Sequence, residues 1–88
     1  MKIVFSSKAW EDYTYWADND RKALRRLNSL IKECQRHPFE GAGKPEPLKG
    51  DFAGWWSRRI TIEDRLVYRI QGKDEDQRLE IAQCRFHY

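Results

Sequence analysis

The 88-residue chain is long enough for one domain, which would span residues 1–88. A chain of this length buries too little apolar surface to form a second hydrophobic core. Charged residues make up 35% of it, yet the formal net charge is only +3, which excludes a histone-like polycation and indicates a mixed surface with segregated basic residues. The apolar run Ile3-Val4-Phe5 is too short for a signal peptide or a membrane span, so we expect a protein of the reducing cytoplasm that contacts no membrane.

The first half of the chain predicts one strand and two helices. Residues 2–6 are typical of a short strand, and Ser7 is the expected N-cap of the first helix. After the capping segment Asp18-Asn19-Asp20, apolar residues recur at helical spacing from Ala23 to Cys34, and this second helix should end near His37, because Pro38 disfavours a helical conformation there. The short link between the helices predicts that they are antiparallel neighbours.

The second helix carries most of the segregated positive charge. Residues 21–36 contain six basic side chains and a single acidic one. A polyanion or an acidic protein could use such a stripe, which makes Arg25 and Arg26 candidates for binding RNA or the ribosome. For the stripe taken alone, a solvated helix face is the simpler explanation.

The second half of the chain predicts a loop followed by three strands. Residues 39–50 are rich in glycine and proline, and strands are expected at residues 55–62, 65–70 and 79–86. Their short connections favour antiparallel pairing. The expected fold class is therefore α+β, with two antiparallel N-terminal helices packed on one face of a small, mainly antiparallel, twisted sheet.

Alternation along the middle strand predicts two different faces. Leu66, Tyr68 and Ile70 should meet the helices, whereas Arg65, Val67 and Arg69 should lie on the other side. Arg59 and Arg65 flank one turn, so that two guanidinium groups could lie close together on the open face. Such a pair, when exposed, can bind phosphate through paired donors.

Three chemically useful groups lie on separate segments. The backbone of Glu46 is held extended by a proline on each side, which prepares its carboxylate to act as a base. Arg65 could neutralise charge on a pentacoordinate phosphate. His87 carries the side chain best suited to proton transfer near neutral pH, and residues 79–86 are expected to deliver it as part of the sheet. A base, a cation and an acid are the minimum set for breaking an RNA phosphodiester.

Each of these groups also has a simpler explanation. Glu46 could be a surface glutamate in a rigid loop, and His87 an inert histidine near a chain end. Arg65 could be an edge-strand arginine paired with Glu63 or Asp64.

The sequence offers no pattern for a metal or a cofactor. Cys34 and Cys84 lack metal-ligand spacing and are expected to be small buried hydrophobes, and a disulfide between them is possible but unsupported. No carboxylate cluster resembles a magnesium site. We therefore expect no metal and no cofactor.

Five segments spread over most of the chain carry a resemblance to a known family. They are Pro38-Phe39-Glu40-Gly41, Gly43-Lys44-Pro45-Glu46-Pro47-Leu48-Lys49, Gly54-Trp55-Trp56-Ser57-Arg58-Arg59-Ile60, Arg65-Leu66-Val67-Tyr68 and Cys84-Arg85-Phe86-His87-Tyr88. The order of these segments, their spacing and the terminal His-Tyr pair resemble the YoeB/Txe family. Its members are toxins of type II toxin–antitoxin systems and are related to RelE. The resemblance implies a microbial ribonuclease-like fold. It also implies an mRNA endonuclease that cuts in the A site of the 70S ribosome by metal-free acid–base transesterification and inhibits translation.

The resemblance further implies partners and residue roles. The partners are a cognate YefM-like antitoxin, which holds the toxin silent, the ribosome with its mRNA, and a possible second copy in a homodimer. The implied roles are general base for Glu46, phosphate stabilisation for Arg65, protonation of the 5′ leaving oxygen for His87, orientation of substrate for Tyr88, and contact with RNA or ribosome for Lys49 and Arg59.

The chain departs from the family pattern at two places. Asp64 stands where many family members have histidine, which could change the orientation of Arg65. The acidic loop of residues 73–77 is longer than usual and should affect partner contacts more than chemistry.

Two other functions remain open. A non-catalytic RNA- or ribosome-binding module would leave bound mRNA intact. A protein-interaction domain would use exposed aromatic residues to receive a partner helix and would bind RNA weakly.

Overall fold

The computed structural model describes residues 1–88 and has two helices and five strands. In chain order these are β1 (Lys2–Phe5), α1 (Ser7–Asn19), α2 (Arg21–Arg36), β2 (Glu46–Pro47), β3 (Trp56–Arg59), β4 (Arg65–Gln71) and β5 (Arg78–Gln83). Single 3-10 turns occupy Gly50–Phe52 and Asp74–Asp76. Neither helix combines the length and the apolar character needed to cross a membrane.

The five strands form one sheet in the order β1-β5-β4-β3-β2. Only the β1–β5 pair is parallel, and the other pairs are antiparallel. β1 and β2 form the two edges because the helices carry the chain from one side of the sheet to the other. The predicted α+β class with a mainly antiparallel sheet is confirmed.

The core lies between the helices and one face of the sheet. Leu66 and Tyr68 are fully buried there and Ile70 packs against them, as strand alternation predicts. The helices contribute side chains at helical spacing, namely Ala9, Trp16, Ala23, Leu27, Leu30, Ile31 and Cys34. Each large apolar side chain buried here contributes about 1.5–3 kcal/mol relative to exposure. This closed face holds the fold together and leaves the opposite face of the sheet without helices.

The first helix begins one residue earlier than expected, because Ser6 and not Ser7 is its N-cap. The Ser6 amide still donates to the Ile81 carbonyl at 3.0 Å, which keeps Ser6 extended at the end of β1. Its hydroxyl accepts the Ala9 amide at 2.9 Å. The predicted cap of α2 is confirmed, since Asp20 accepts the Ala23 amide at 3.0 Å.

β1, β3 and β5 end earlier than the sequence predicts, β4 runs one residue further to Gln71, and β2 lies inside the expected loop. β3 ends at Arg59 because a tight turn follows, closed by the Ile60 amide donating to the Asp64 carbonyl at 2.9 Å. β5 ends at Gln83 because the backbone amide and carbonyl of the next residue, Cys84, form hydrogen bonds with side chains of α1 and not with a neighbouring strand. The Cys84 amide donates to the Asp12 carboxylate at 3.0 Å, and the Cys84 carbonyl accepts the Trp16 indole N–H at 2.8 Å.

Arg58 is fully buried within this core, although a charged side chain is expected at the surface. Its guanidinium donates to the Tyr68 hydroxyl at 3.1 Å and to the carbonyls of Ala42 at 2.9 Å, Glu40 at 2.8 Å and His37. A buried cation is tolerated only when its donors are satisfied in this way. Arg58 thus fixes the end of α2 and the loop that leads to β2.

Candidate active site

Strand register brings the predicted site residues to the open face of the sheet. Glu46 lies opposite Ser57, and Arg59 lies opposite Arg65. Residues directly opposite share a face, and so do alternate residues along one strand. Glu46, Arg59 and Arg65 therefore belong to one surface, which carries no helix.

The position of Glu46 depends on a close approach of its loop to the core. The Gly43 carbonyl accepts the Arg59 amide at 2.7 Å. A Cβ atom at Gly43 would come within 2.9 Å of the Leu30 side chain, and the backbone φ there is +85°, so glycine is required. Two residues later, Pro45 leads into β2, and the Glu46 side chain remains exposed to solvent.

The last residue of the chain lies across this open face. The Tyr88 hydroxyl is 3.4 Å from Glu46 Oε1 and 3.3 Å from Ser57 Oγ, which are contacts longer than the O–H···O hydrogen bonds of about 2.5–3.0 Å common in proteins. Ser57 and its cross-strand neighbour Val67 are 2% and 0% exposed, although no helix covers them. The terminal segment therefore covers the middle of the open face and reaches the Glu46 carboxylate.

His87 is brought to the open face by a turn and not by the sheet, which corrects the sequence expectation. β5 ends four residues earlier, and the chain then folds back so that the Arg65 amide donates to the Phe86 carbonyl at 3.0 Å. The His87 and Tyr88 rings lie 4.6 Å apart, and His87 Nδ1 is 3.0 Å from the Tyr88 backbone oxygen. His87 is exposed, and its Nε2 atom has no hydrogen-bond partner within the protein.

Arg65 closes the turn between β3 and β4. Its Nη1 atom donates to the carbonyls of Thr61, Ile62 and Asp64 at 3.0, 3.0 and 3.1 Å. It forms no ion pair with Glu63 or Asp64, so the simpler explanation from sequence is wrong. Its second terminal nitrogen makes no hydrogen bond within the protein.

The two arginines that face one another are the unpaired cations of this surface. Neither Arg59 nor Arg65 has a carboxylate within ion-pair distance. Like charges directly opposite in an antiparallel pair destabilise the sheet. An anion bound between them would relieve that repulsion, so the pair is a candidate phosphate site.

Arg69, on the same face, is already committed to internal contacts. Its Nε atom lies 2.7 Å from Glu80 Oε1, and its guanidinium lies 4.3 Å from the centre of the Trp55 ring. Arg78 binds the other Glu80 oxygen at 2.7 Å. The hydrogen bonds from Arg78 and Arg69 lower the pKa of Glu80.

The remaining predicted binding residues lie at different distances from this surface. Lys49 is exposed two residues after β2, at the start of the Gly50–Phe52 turn. Arg25 and Arg26 are exposed on α2, which packs on the opposite face of the sheet. The fold therefore gathers Glu46, Arg59, Arg65 and the terminal segment, and leaves the basic helix stripe as a separate surface.

The chain holds no evident metal centre. No group of three or more His, Cys, Asp or Glu side chains is placed to bind an ion. Cys34 and Cys84 are free and fully buried, as small hydrophobes would be. Burial raises the pKa of the Cys34 thiol to about 11 and that of the Cys84 thiol to about 12, so both are protonated at neutral pH.

Comparisons with known proteins identify the family and the fold of this chain. Residues 5–88 match the model of the YoeB-like toxin of bacterial type II toxin–antitoxin systems. The toxin YoeB of Streptomyces coelicolor is 54% identical over 88 residues, covering all of both chains. A structure of the YoeB/ParE toxin from Agrobacterium tumefaciens is 55% identical, covers all of both chains and superposes with a TM-score of 0.97.

Staphylococcus aureus YoeB has been solved both as a dimer and as a heterotetrameric YoeB–YefM toxin–antitoxin complex. Each structure is 44% identical and covers all of this chain and 98% of the other, with TM-scores of 0.87 and 0.86. From the family match, the full-length identity and the shared fold, the chain belongs to the YoeB-like toxins of bacterial type II toxin–antitoxin systems.

Proposed function

We propose that this toxin is a ribosome-dependent endoribonuclease that cuts mRNA in the A site and so inhibits translation in the cytoplasm. One observation carries the proposal: the Tyr88 hydroxyl lies 3.4 Å from the Glu46 carboxylate, so the terminal segment with His87 reaches the proline-flanked glutamate. A base and an acid from distant parts of the sequence thereby share one open surface.

The proposed reaction is a metal-free transesterification. Glu46 removes the proton of a ribose 2′-hydroxyl, and the 2′-oxygen attacks the adjacent phosphorus. The bond from phosphorus to the 5′-oxygen breaks, and His87 gives its proton to that oxygen. The products are a 2′,3′-cyclic phosphate and a 5′-hydroxyl. The free Nε2 atom of the exposed His87 ring is the proposed donor atom.

Arg65 is proposed to stabilise the pentacoordinate phosphate, and Arg59 and Lys49 to hold RNA or the ribosome. The proposal rests on two arginines at opposite register positions, neither of which has a carboxylate partner. Tyr88 is proposed to orient the substrate, since its hydroxyl lies between Ser57 and Glu46. Arg25 and Arg26 are proposed to contact the ribosome at a distance from the reacting groups.

We also propose a YefM-like antitoxin and a second copy of this chain as partners. The support is the S. aureus relative, which forms a heterotetramer with YefM and has been solved as a dimer. The expected behaviour in cells is growth arrest when this chain is induced alone, relieved when the antitoxin is induced with it.

The test is cleavage of mRNA on programmed ribosomes by the Glu46→Ala, His87→Ala double variant. Wild-type protein should give a bell-shaped pH–rate profile and fragments ending in 2′,3′-cyclic phosphate, because one group must be deprotonated and another protonated. Loss of either general catalyst typically costs about 10²–10⁴-fold in rate, so the double variant should be inactive.

The matched control is Glu63→Gln, which removes an exposed carboxylate from the β3–β4 turn and should leave cleavage unchanged. Undiminished cleavage by the double variant would overturn the assignment of base and acid. Wild-type protein that binds programmed ribosomes and leaves the mRNA intact would favour the non-catalytic binding module instead.

A further inference from the structure

The residue before His87 has a backbone conformation that needs external support. Phe86 has a φ of +66°, in the left-handed region that bulky side chains rarely adopt. Its ring is 52% exposed, so burial of the ring does not compensate for this conformation. Such a residue persists only where surrounding contacts over-determine it, and these conformations are found at functional sites.

Asp64 supplies that support from the β3–β4 turn. Its Oδ1 atom accepts the Phe86 amide at 2.7 Å, while the next residue, Arg65, donates its own amide to the Phe86 carbonyl at 3.0 Å. Both backbone polar groups of Phe86 are therefore bound to two consecutive residues. The bond to the carboxylate is short and charge-assisted, the stronger kind of hydrogen bond.

The carboxylate itself is held in place by the turn. Asp64 Oδ2 accepts the Thr61 hydroxyl at 2.7 Å, and the same hydroxyl accepts the amides of Glu63 and Asp64 at 3.2 and 3.0 Å. One carboxylate oxygen is thus anchored to the turn and the other holds the terminal segment. Neither oxygen pairs with Arg65, which directs its Nη1 atom to the turn carbonyls instead.

We propose that Asp64 is a positioning residue for catalysis, which fixes the terminal segment so that the His87 imidazole faces the scissile phosphate. This inference rests on the proposed function. The Asp64–Phe86 bond couples the turn that carries Arg65 to the segment that carries the acid, so the phosphate-binding cation and the proton donor keep a fixed relation. Displacement of a catalytic group by about 1 Å can cost on the order of 10²-fold in rate.

The test compares Asp64→Leu, which keeps the shape of the side chain and removes its acceptors, with Asp64→Asn, which retains an acceptor for the Phe86 amide. Asp64→Leu should lower kcat by roughly 10²-fold with KM little changed, because the reacting geometry is lost and the RNA-binding cations remain. Asp64→Asn should recover about 10-fold of that loss, since a neutral acceptor is weaker than a charged one.

Amide hydrogen exchange of the free protein provides a second readout that does not depend on activity. The Phe86 amide should be protected in wild-type protein and in Asp64→Asn, and unprotected in Asp64→Leu. Glu63→Gln is the matched control: it changes an exposed carboxylate of the same turn that contacts neither Asp64 nor Phe86, so it should cleave close to the wild-type rate.

Three outcomes would overturn the positioning role. They are wild-type cleavage by Asp64→Leu, unchanged Phe86 protection in Asp64→Leu, and an equal loss of rate in Glu63→Gln and Asp64→Leu. Failure of the proposed function is a different result, namely that wild-type protein does not cleave mRNA on ribosomes at all. In that case the exchange data still establish whether Asp64 holds the terminal segment.

Discussion

The two faces of the β3–β4 pair use the same type of residue for opposite purposes. Arg58 and Arg59 are consecutive in β3, so their side chains leave the sheet on opposite sides. Arg58 is fully buried on the helix side, and all of its side-chain hydrogen bonds are to backbone carbonyls or the Tyr68 hydroxyl. Arg59 is exposed on the open side, opposite Arg65, and has no carboxylate partner.

The difference shows what each face contributes. On the helix side every buried side-chain nitrogen and oxygen has a hydrogen-bond partner, so polar groups there stabilise the fold. On the open side, two like charges face one another without an ion pair and an exposed carboxylate lies close to the terminal tyrosine. Unpaired charged side chains on the open side contribute little to stability and are available to bind a ligand. The residues that stabilise the fold therefore lie on the helix side, and those proposed to act on RNA lie on the open side.

The largest expected effect comes from replacing these neighbouring arginines one at a time. Arg58→Met should lower the free energy of unfolding by about 2–4 kcal/mol, because it leaves buried carbonyls of the loop without donors. Arg59→Met should change it by no more than about 0.5 kcal/mol, as expected of an exposed side chain. Urea denaturation of both variants measures the difference directly.

Arg59→Met should instead weaken binding to a single-stranded RNA. Loss of one phosphate contact reduces the slope of log K against log salt by about 0.7. Equal stability losses in the two variants would contradict the division between the faces. An unchanged salt slope in Arg59→Met would remove that residue from the RNA-binding surface.

Most of the fold can be predicted from the sequence, because the periodicity of apolar residues indicates which side of a helix or strand is buried. Leu66 and Tyr68 at alternate positions and the apolar stripe of α2 were sufficient to place the helices on one face. Arg58 was missed because a charged residue predicts exposure unless its acceptors are known, and these come from a loop distant in sequence. The strand β2 gives no periodic signal because it consists of only two residues, Glu46 and Pro47.

The site was only partly accessible from sequence. Glu46 and Arg65 were suggested by their local settings and by the family resemblance, but the convergence of Tyr88 on Glu46 depends on a fold-back that no local pattern encodes. The end of β5 was misplaced because the Cys84 amide is taken by Asp12, 72 residues earlier in the chain. Long-range hydrogen bonds of this kind determine where a strand ends, and the alternation of apolar and polar residues along the sequence does not reveal them.

The next largest effect concerns the thiols of the closed face. Burial raises the pKa of Cys34 from 9.0 to about 11, so at pH 8 its thiolate population should be about 100-fold below that of an unfolded chain. In a Cys84→Ala variant, Cys34 should therefore react with a disulfide reagent at least about 100-fold more slowly than in urea. Reaction at the rate of the denatured protein would show that the helix side is not closed.

The smallest effect is expected from Glu80 on the open face. Hydrogen bonds from Arg78 and Arg69 lower its pKa in the folded state, so its contribution to stability is present above the ordinary value of about 4.3 and is lost as pH falls through the lowered value. Because both arginines are more than a third exposed, the contribution should not exceed about 1 kcal/mol.

Glu80→Gln should therefore be less stable than wild type at pH 7 by up to about 1 kcal/mol, and this deficit should shrink as the pH falls from about 4.3 toward 2, as measured by urea denaturation across that range. Glu63→Gln, in the exposed turn, is the control and should track wild type throughout. A Glu80→Gln deficit that persists unchanged at pH 2 would mean that Glu80 acts through packing and not through its charge. The ion pairs of the open face would then contribute even less to stability than their geometry suggests. The difference in stability contribution between these ion pairs and the hydrogen bonds of buried Arg58 would then be larger.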